Sequence, residues 1–159
     1  MKFLFVSIMM SFVYLNGLAQ QEYSTVQIDI SDISSDNPTD WTTYIDNVTF
    51  KIEYKMVNCD PNKGFDFEAV FFKVTNKTLN ELAVAWHKNL YYGGICRTCD
   101  YPEEYSFELS LGPNQIVQGD CDPQTGYQLK LFSRFNDTDY SRGDALTAFK
   151  LDNFTATQD

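Results

Sequence analysis

The sequence predicts an all-β protein: a single antiparallel β-sandwich of about seven to eight strands after an N-terminal signal peptide. Three observations support this fold class. Apolar and polar residues alternate along several short runs. Turn segments rich in Gly, Pro, Asn and Asp separate these runs at short intervals. No useful length of chain shows the apolar period of a helix, so a layered β fold is expected.

The first 19 residues have the pattern of a signal peptide. Lys2 supplies a positive charge, an apolar run follows, and the segment Gly17-Leu18-Ala19 ends with small residues at the cleavage positions. The apolar run is shorter than the ~20 residues of a spanning helix. We therefore expect cleavage after Ala19, a secreted or periplasmic protein, and no membrane span in the mature chain.

Residues 20–46 form an acidic lead that is rich in Ser, Asp, Asn and Pro. A candidate first strand runs through Val26, Ile28 and Ile30. The lead also carries Asp29, Asp32, Asp36 and Asp40, but these lack the spacing of an EF-type calcium loop. We expect a solvated lead, no metal site, and a sandwich domain that spans residues 47–159.

The strands of that domain follow from the two-residue period. "EAVFFKVT" is apolar on both faces, which predicts a central strand, and "LTAFKLDNFTA" closes the chain. The other runs are "VTFKIEYKMV", "LAVAWHKNLYY", "YSFELSL" and "YQLKLFSRF". Their predicted inward residues are Val48, Phe50, Ile52, Tyr54, Met56, Val84, Trp86, Leu90, Tyr105, Phe107, Leu109, Leu111, Tyr127, Leu129 and Leu131.

The charge balance excludes some partners. The chain has 22 acidic and 12 basic residues and a formal net charge of −10. Such a surface repels nucleic acid and anionic membranes. We expect an unidentified protein or carbohydrate ligand, and no cofactor.

The four cysteines are expected at one end of the sandwich. Counting antiparallel strand directions brings Cys59, Cys96, Cys99 and Cys121 together. In an exported chain they predict disulfides. The preferred pairing is Cys59 with Cys121 and Cys96 with Cys99, and the alternative is Cys59–Cys96 with Cys99–Cys121. A four-thiolate zinc site and a redox C-x-x-C are weaker interpretations, because zinc sites usually present two paired motifs and no βαβ pattern surrounds Cys96.

A binding rim is one hypothesis for this end. It would use Tyr91, Tyr92, Tyr101, Asp100 and Asp122, since exposed tyrosines on disulfide-bonded loops are preorganised contact residues. The competing interpretation is that the tyrosines pack on the disulfides.

Catalytic motifs are scarce. The sole histidine, His87, is predicted to face solvent because it neighbours the inward Trp86. The sequence has no nucleophile elbow and no zinc-protease helix. A small secreted hydrolase that uses surface carboxylates such as Glu103 and Glu104 is the alternative, although adjacent carboxylates rarely face each other across a cleft. Four N-x-[ST] sequons, at Asn47, Asn76, Asn136 and Asn153, would be glycosylated in a eukaryotic secretory route.

Two segments carry a resemblance. "VFFKVTNKTLNELAVAW", with a Trp in the strand after a hairpin, and "LSLGPNQIVQGDC" are similar to Ig-like sandwich domains of secreted bacterial proteins. The "LAQ" junction resembles those of exported Bacteroidota proteins. The likeness covers roughly residues 45–155 and departs from antibody domains, since no cysteine pair brackets Trp86. It implies a fold and no catalytic residues. We therefore expect a binding or structural module, not an enzyme.

Overall fold

The chain folds into two packed β-sheets. The computed structural model describes residues 23, 25–33, 40–59, 66–122, 126–136 and 144–158. Over these residues it has two five-stranded antiparallel sheets that do not close into a barrel, which confirms the predicted all-β sandwich. The predicted signal peptide lies outside the described residues, as does Asp36. Within the described ranges, no helix has the length and apolar character needed to cross a bilayer.

The described chain contains ten strands and one short helix, α1 (Pro102–Tyr105). The strands are β1 (Ile28–Asp29), β2 (Thr42–Asp46), β3 (Phe50–Asn58), β4 (Phe67–Asn76), β5 (Leu82–Tyr92), β6 (Ile95–Cys96), β7 (Ser106–Leu111), β8 (Ile116–Gln118), β9 (Lys130–Phe135) and β10 (Leu146–Gln158). Two of them, β1 and β6, have only two residues each. The eight longer strands agree with the predicted number.

Each sheet is built around one long strand whose far edge is shared by two short strands. Sheet A has the order β1-β10-β5, and β6 and β7 both pair with the remaining edge of β5. Sheet B has the order β2-β3-β4, and β8 and β9 both pair with the remaining edge of β4. The strand predicted to be central, "EAVFFKVT", is therefore central.

The core lies between the sheets and is rich in aromatic rings. Phe149 of sheet A meets three rings of sheet B, with centroids 6.0 Å from Tyr44, 5.5 Å from Tyr54 and 5.5 Å from Phe72. Such ring pairs contribute about 0.5–1.5 kcal/mol each beyond their buried area. The predicted inward residues that are buried here are Phe50, Ile52, Tyr54, Val84, Trp86, Leu90, Leu111, Leu129 and Leu131.

Two predicted core residues are exposed instead. Val48 is 83% exposed because it sits in a turn before β3, where the Asn47 Oδ1 atom accepts hydrogen bonds from the Thr49 and Phe50 amides. Tyr127 is 72% exposed because residues Tyr127–Leu129 form a 3-10 turn that breaks the two-residue period. The predictions of inward positions for these two residues were wrong.

The acidic lead contributes two strands to the sandwich, one more than expected. β1 pairs with β10 in sheet A, and β2 pairs with β3 in sheet B. The Tyr44 hydroxyl of β2 lies 2.8 Å from the Leu151 amide nitrogen and 3.0 Å from the Leu151 carbonyl oxygen, so it links the two sheets. Burial raises the pKa of Tyr44 far above its ordinary value, which keeps this hydroxyl neutral.

Both disulfides of the preferred pairing are present. Cys59–Cys121 joins residues 62 apart in sequence, and Cys96–Cys99 joins residues 3 apart. No cysteine is free, so the sulfurs are not available as the thiolate ligands of a zinc site. Cys59 belongs to a small hydrophobic cluster with Ala69 and Phe71 on the outer face of sheet B, whereas Cys96 pairs with β5 of sheet A. The two bridges therefore brace different sheets.

The long bridge should dominate stability. In the chain-entropy description, loss of Cys59–Cys121 lowers the free energy of unfolding by about 4 kcal/mol, and loss of Cys96–Cys99 by about 2 kcal/mol. Urea unfolding of Cys59→Ala/Cys121→Ala beside Cys96→Ala/Cys99→Ala measures both values. Equal losses in the two double variants would contradict this ranking.

Candidate functional site

The predicted rim residues lie on both sheets. Tyr91 and Tyr92 end β5 and are paired in register with Cys96 and Ile95. Asp100 and Tyr101 directly follow the short disulfide, so these four residues share one end of sheet A. Asp122 instead follows Cys121, beyond strand β8 of sheet B.

Two tyrosines of the predicted rim, Tyr92 and Tyr101, differ in exposure. Tyr101 is 55% exposed. Tyr92 is half-buried against the core, and its hydroxyl donates to the Phe132 carbonyl oxygen at 3.0 Å. Burial raises the pKa of Tyr92, so the hydroxyl remains a donor. Tyr92 thus supports the packing interpretation, and Tyr101 remains available for contact.

The loop closed by Cys96–Cys99 completes the edge of β5. Strands β7 and β6 pair with the two ends of that edge and leave Lys88–Leu90 between them. The buried Thr98 fills this gap, since its hydroxyl donates to the Lys88 carbonyl oxygen at 2.5 Å and accepts from the Leu90 amide at 2.8 Å. The Arg97 amide adds a bond to the Leu90 carbonyl oxygen at 2.8 Å. The Thr98 hydroxyl and the Arg97 amide thus make the hydrogen bonds that a neighbouring strand would otherwise make with Lys88 and Leu90.

His87 is buried beneath the same loop, so the prediction of a solvated histidine was wrong. Its side chain points away from the core, as its neighbour Trp86 requires, but it is only 3% exposed. The ring Nε2 atom contacts the Thr98 carbonyl oxygen at 3.2 Å, which assigns the hydrogen to Nε2 because a carbonyl only accepts. The Nδ1 atom lies 3.4 Å from Asp152 Oδ1. Alternation predicts the face of a residue but not the loop that covers it.

The surroundings of His87 bear on the hydrolase alternative. Ser106 and Asp152 lie opposite His87 on the two neighbouring strands, which places Ser, His and Asp in one row on sheet A. A serine nucleophile needs the Nε2 atom as its base, and here Thr98 occupies that atom. The row therefore lacks a free base in this structure. Glu103 and Glu104 are exposed neighbours in the first turn of α1.

A cleft of about 240 Å³ opens near the ends of β3, β4 and β9. It is lined by Ile30, Ser31, Ile33, Met56, Glu68, Ser133, Arg134, Ala145 and Leu146. Among the described lining residues, the carboxylate is that of Glu68, which accepts from the Ser133 hydroxyl at 3.0 Å and lies 3.3 Å from the Arg134 guanidinium. Glycoside hydrolysis normally requires two carboxylates across the bond.

The most unusual core residue is Lys88, which is 2% exposed. It faces inward between Trp86 and Leu90, and its Nζ atom donates to the carbonyl oxygens of Tyr127 and Lys130. The same nitrogen lies 4.3 Å from the centre of the Phe107 ring. Burial lowers the pKa of Lys88 to about 7. The two-residue period places Lys88 on the inner face, and we did not identify it from the sequence.

The outer face of sheet B exposes an aromatic cluster, formed by Phe67, Phe132 and Phe135. Ring centroids are 5.9 Å apart for Phe67 and Phe132, and 4.8 Å apart for Phe132 and Phe135. Phe132 is 39% exposed and Phe135 is 48% exposed, although both are large apolar side chains. Exposed apolar residues that contact one another are typical of interaction surfaces. The segment "LFSRF" predicts a strand, but the sequence alone does not show that its two Phe residues lie beside Phe67.

Comparisons with protein-family models, curated proteins and solved structures find no match for this chain. Within the described residues, no group of three or more His, Cys, Asp or Glu side chains is placed to hold a metal ion. The candidate sites are therefore defined by geometry alone: the loop after Cys96, the end cleft and the outer face of sheet B.

Lys88 should make stability depend on pH. The unfolded chain keeps this lysine protonated up to its ordinary pKa of 10.5, whereas the folded protein releases the proton near pH 7. The unfolded state therefore binds more protons between these values, and the free energy of unfolding rises with pH by up to about 1.4 kcal/mol per unit. This gain is complete above pH 10.5 and is lost as the pH falls to 7.

Urea unfolding at pH 7, 8 and 9 measures this slope while avoiding tyrosine titration. Lys88→Met should remove the rise, and Lys55→Met, which changes a half-buried surface lysine, should retain it. A slope that persists unchanged in Lys88→Met would contradict the assignment.

Thr98 should contribute through its hydroxyl and not through its shape. Thr98→Val removes two buried hydrogen bonds and should lower the free energy of unfolding by roughly 1–3 kcal/mol, with faster hydrogen exchange at the Leu90 amide. Thr98→Ser keeps the hydroxyl and is the matched control. Equal behaviour of the two variants would show that the bonds to β5 do not hold this loop.

Proposed function

We propose that this chain is a secreted, disulfide-bonded, Ig-like β-sandwich that acts as an extracellular binding module and not as an enzyme. The single observation that carries the proposal is the exposed aromatic cluster of Phe67, Phe132 and Phe135 on the outer face of sheet B. Two disulfides without a free thiol are typical of proteins from oxidising compartments, which supports export.

The position of the cluster suits contact with a partner. Phe67 and Phe71 lie four residues apart on the same face of β4. Ala69 lies between them on that face and pairs in register with Phe132 of β9. The Cys59–Cys121 bridge packs in the hydrophobic cluster with Phe67 and Phe71, so a covalent cross-link braces this surface. A preorganised aromatic surface loses little side-chain freedom on binding. The ligand is a carbohydrate or a protein surface.

A binding panel tests the function. Native gels that contain soluble xylan, mannan, β-glucan or polygalacturonate should retard the protein when the polymer binds. Phe132→Ser/Phe135→Ser should abolish retardation with the fold intact by circular dichroism, because both rings are exposed. Tyr101→Ala is the matched control, since Tyr101 is an exposed aromatic of the predicted rim.

Each outcome separates the alternatives. Loss of binding in Tyr101→Ala alone would assign contact to the rim and overturn the choice of sheet B. Release of reducing sugar during incubation would favour the hydrolase alternative. Absence of retardation in every gel would overturn carbohydrate binding by this face.

A further inference from the structure

A group of lysines surrounds one tryptophan on the outer face of sheet B. The group, called here the lysine patch, consists of Trp41, Lys51, Glu53, Lys55 and Lys73. The ammonium groups of Lys55 and Lys73 lie 4.7 Å and 4.6 Å from the centre of the Trp41 ring. Trp41 also packs against the cluster of Cys59, Ala69 and Phe71, so the lysine patch adjoins the aromatic surface.

The lysine patch has excess positive charge. Glu53 accepts from Lys51 at 2.9 Å and from Lys73 at 2.7 Å, whereas the Lys55 ammonium group lies over the Trp41 ring. Burial acts to raise the pKa of Glu53, but the bonds from Lys73 and Lys51 outweigh it and hold this pKa below its ordinary value. Glu53 is therefore ionised at neutral pH, and three ammonium groups with one carboxylate give the five residues of the patch a formal charge of +2.

This charge contrasts with the rest of the molecule, whose formal net charge is −10. The five strands of sheet B carry three acidic residues, Asp46, Glu53 and Glu68. The same strands carry five of the 12 basic residues, namely Lys51, Lys55, Lys73, Lys130 and Arg134. Of these, Lys130 is buried and donates to the Asp122 carbonyl oxygen, and the exposed Arg134 forms an ion pair with Glu68. The lysine patch is therefore the part of these strands in which ammonium groups outnumber carboxylates.

The surface is long and open. Phe67 and Lys73 lie on the same face of β4, six residues apart, which corresponds to roughly 20 Å along the strand. The aromatic cluster lies at the Phe67 end of this distance, and the lysine patch lies at the Lys73 end. An extended polymer can contact both ends at once, whereas a small molecule cannot.

We propose that the outer face of sheet B binds a carboxylate-bearing polysaccharide, with sugar rings on Phe132 and Phe135 and sugar carboxylates at Lys55 and Lys73. This proposal rests on the binding function proposed above and names its ligand class. The C–H groups on the face of a sugar ring meet the negative face of an aromatic ring favourably. The carboxylates complement the positive formal charge of the lysine patch.

Nucleic acid fits this surface less well, because a DNA duplex carries one charge per ~1.7 Å of helix axis, whereas an acidic polysaccharide carries at most one carboxylate per sugar ring. The overall negative charge of the chain opposes both polymers, and it opposes the more densely charged one more strongly. An acidic polypeptide supplies carboxylates but lacks the regular apolar ring faces that the phenylalanines would contact. Both are included in the test as competing ligands.

Polygalacturonate and its fully methyl-esterified form are a matched pair of probes, because they share a backbone and differ in charge. The wild-type protein should be retarded by polygalacturonate in native gels and much less by the ester, and added NaCl should weaken the binding. Lys55→Gln should lower the affinity by about fivefold, the equivalent of one exposed ion pair. Lys150→Gln makes the same charge change at a half-buried lysine of sheet A and should have no effect.

The outcomes distinguish this inference from the general binding function. Equal binding of the two polymers, with loss in Phe132→Ser/Phe135→Ser, would overturn the acidic ligand class and keep the binding module. Binding of poly-glutamate or single-stranded DNA in preference to polygalacturonate would also overturn it. Retardation by none of these probes would overturn the acidic ligand class, and the neutral polysaccharides then decide whether the face binds carbohydrate at all.

Discussion

The hydrogen bonds of the buried Lys88 amine are the interaction on which closure of the sandwich depends. The lysine belongs to sheet A and donates to the Tyr127 carbonyl oxygen in the 3-10 turn before β9 and to the Lys130 carbonyl oxygen at the start of β9 in sheet B. These bonds fix the 3-10 turn of residues Tyr127–Leu129, and the turn delivers Leu129 to the core. Burial of a charged lysine costs hydration free energy, and this cost lowers the pKa of Lys88. The two carbonyl acceptors replace part of the hydrogen bonding to water that the amine loses.

Side chains and a loop also protect the strand edges. The carbonyl oxygens of Lys130 and Phe132 lie two residues apart on β9, and Lys88 and Tyr92 of β5 donate to them. In sheet A, the Thr98 hydroxyl hydrogen-bonds to the Lys88 carbonyl and the Leu90 amide, which lie between the segments of β5 that pair with β6 and β7. Unpaired backbone groups at a strand edge can pair with a strand of another chain. The side chains of Lys88, Tyr92 and Thr98 hydrogen-bond to such groups and make them unavailable. The same contacts that join the sheets therefore reduce the opportunity for edge-to-edge association.

The two-residue period predicted the fold class and most inward residues, because burial of one sheet face imposes it directly. It predicted β4 as central from "EAVFFKVT". Strand parity predicted only that the four cysteines share one end, and of the two pairings left open the preferred one is observed. The two-residue period failed at Val48 and Tyr127, where local turns override alternation. It also could not predict burial of His87, since the covering loop is a tertiary feature. The aromatic surface required knowledge of which strands lie side by side.

Asn76 restricts how the chain can be made. It begins an Asn-Lys-Thr sequon, yet it is 1% exposed, and its Nδ2 atom donates to the carbonyl oxygens of Asn80 and Gly112. That nitrogen is the atom to which an N-linked sugar is attached. A sugar added during synthesis would occupy the interior position of the amide and remove its hydrogen bonds. The native structure therefore requires an unmodified Asn76, and bacterial or cell-free synthesis is the appropriate source of folded protein.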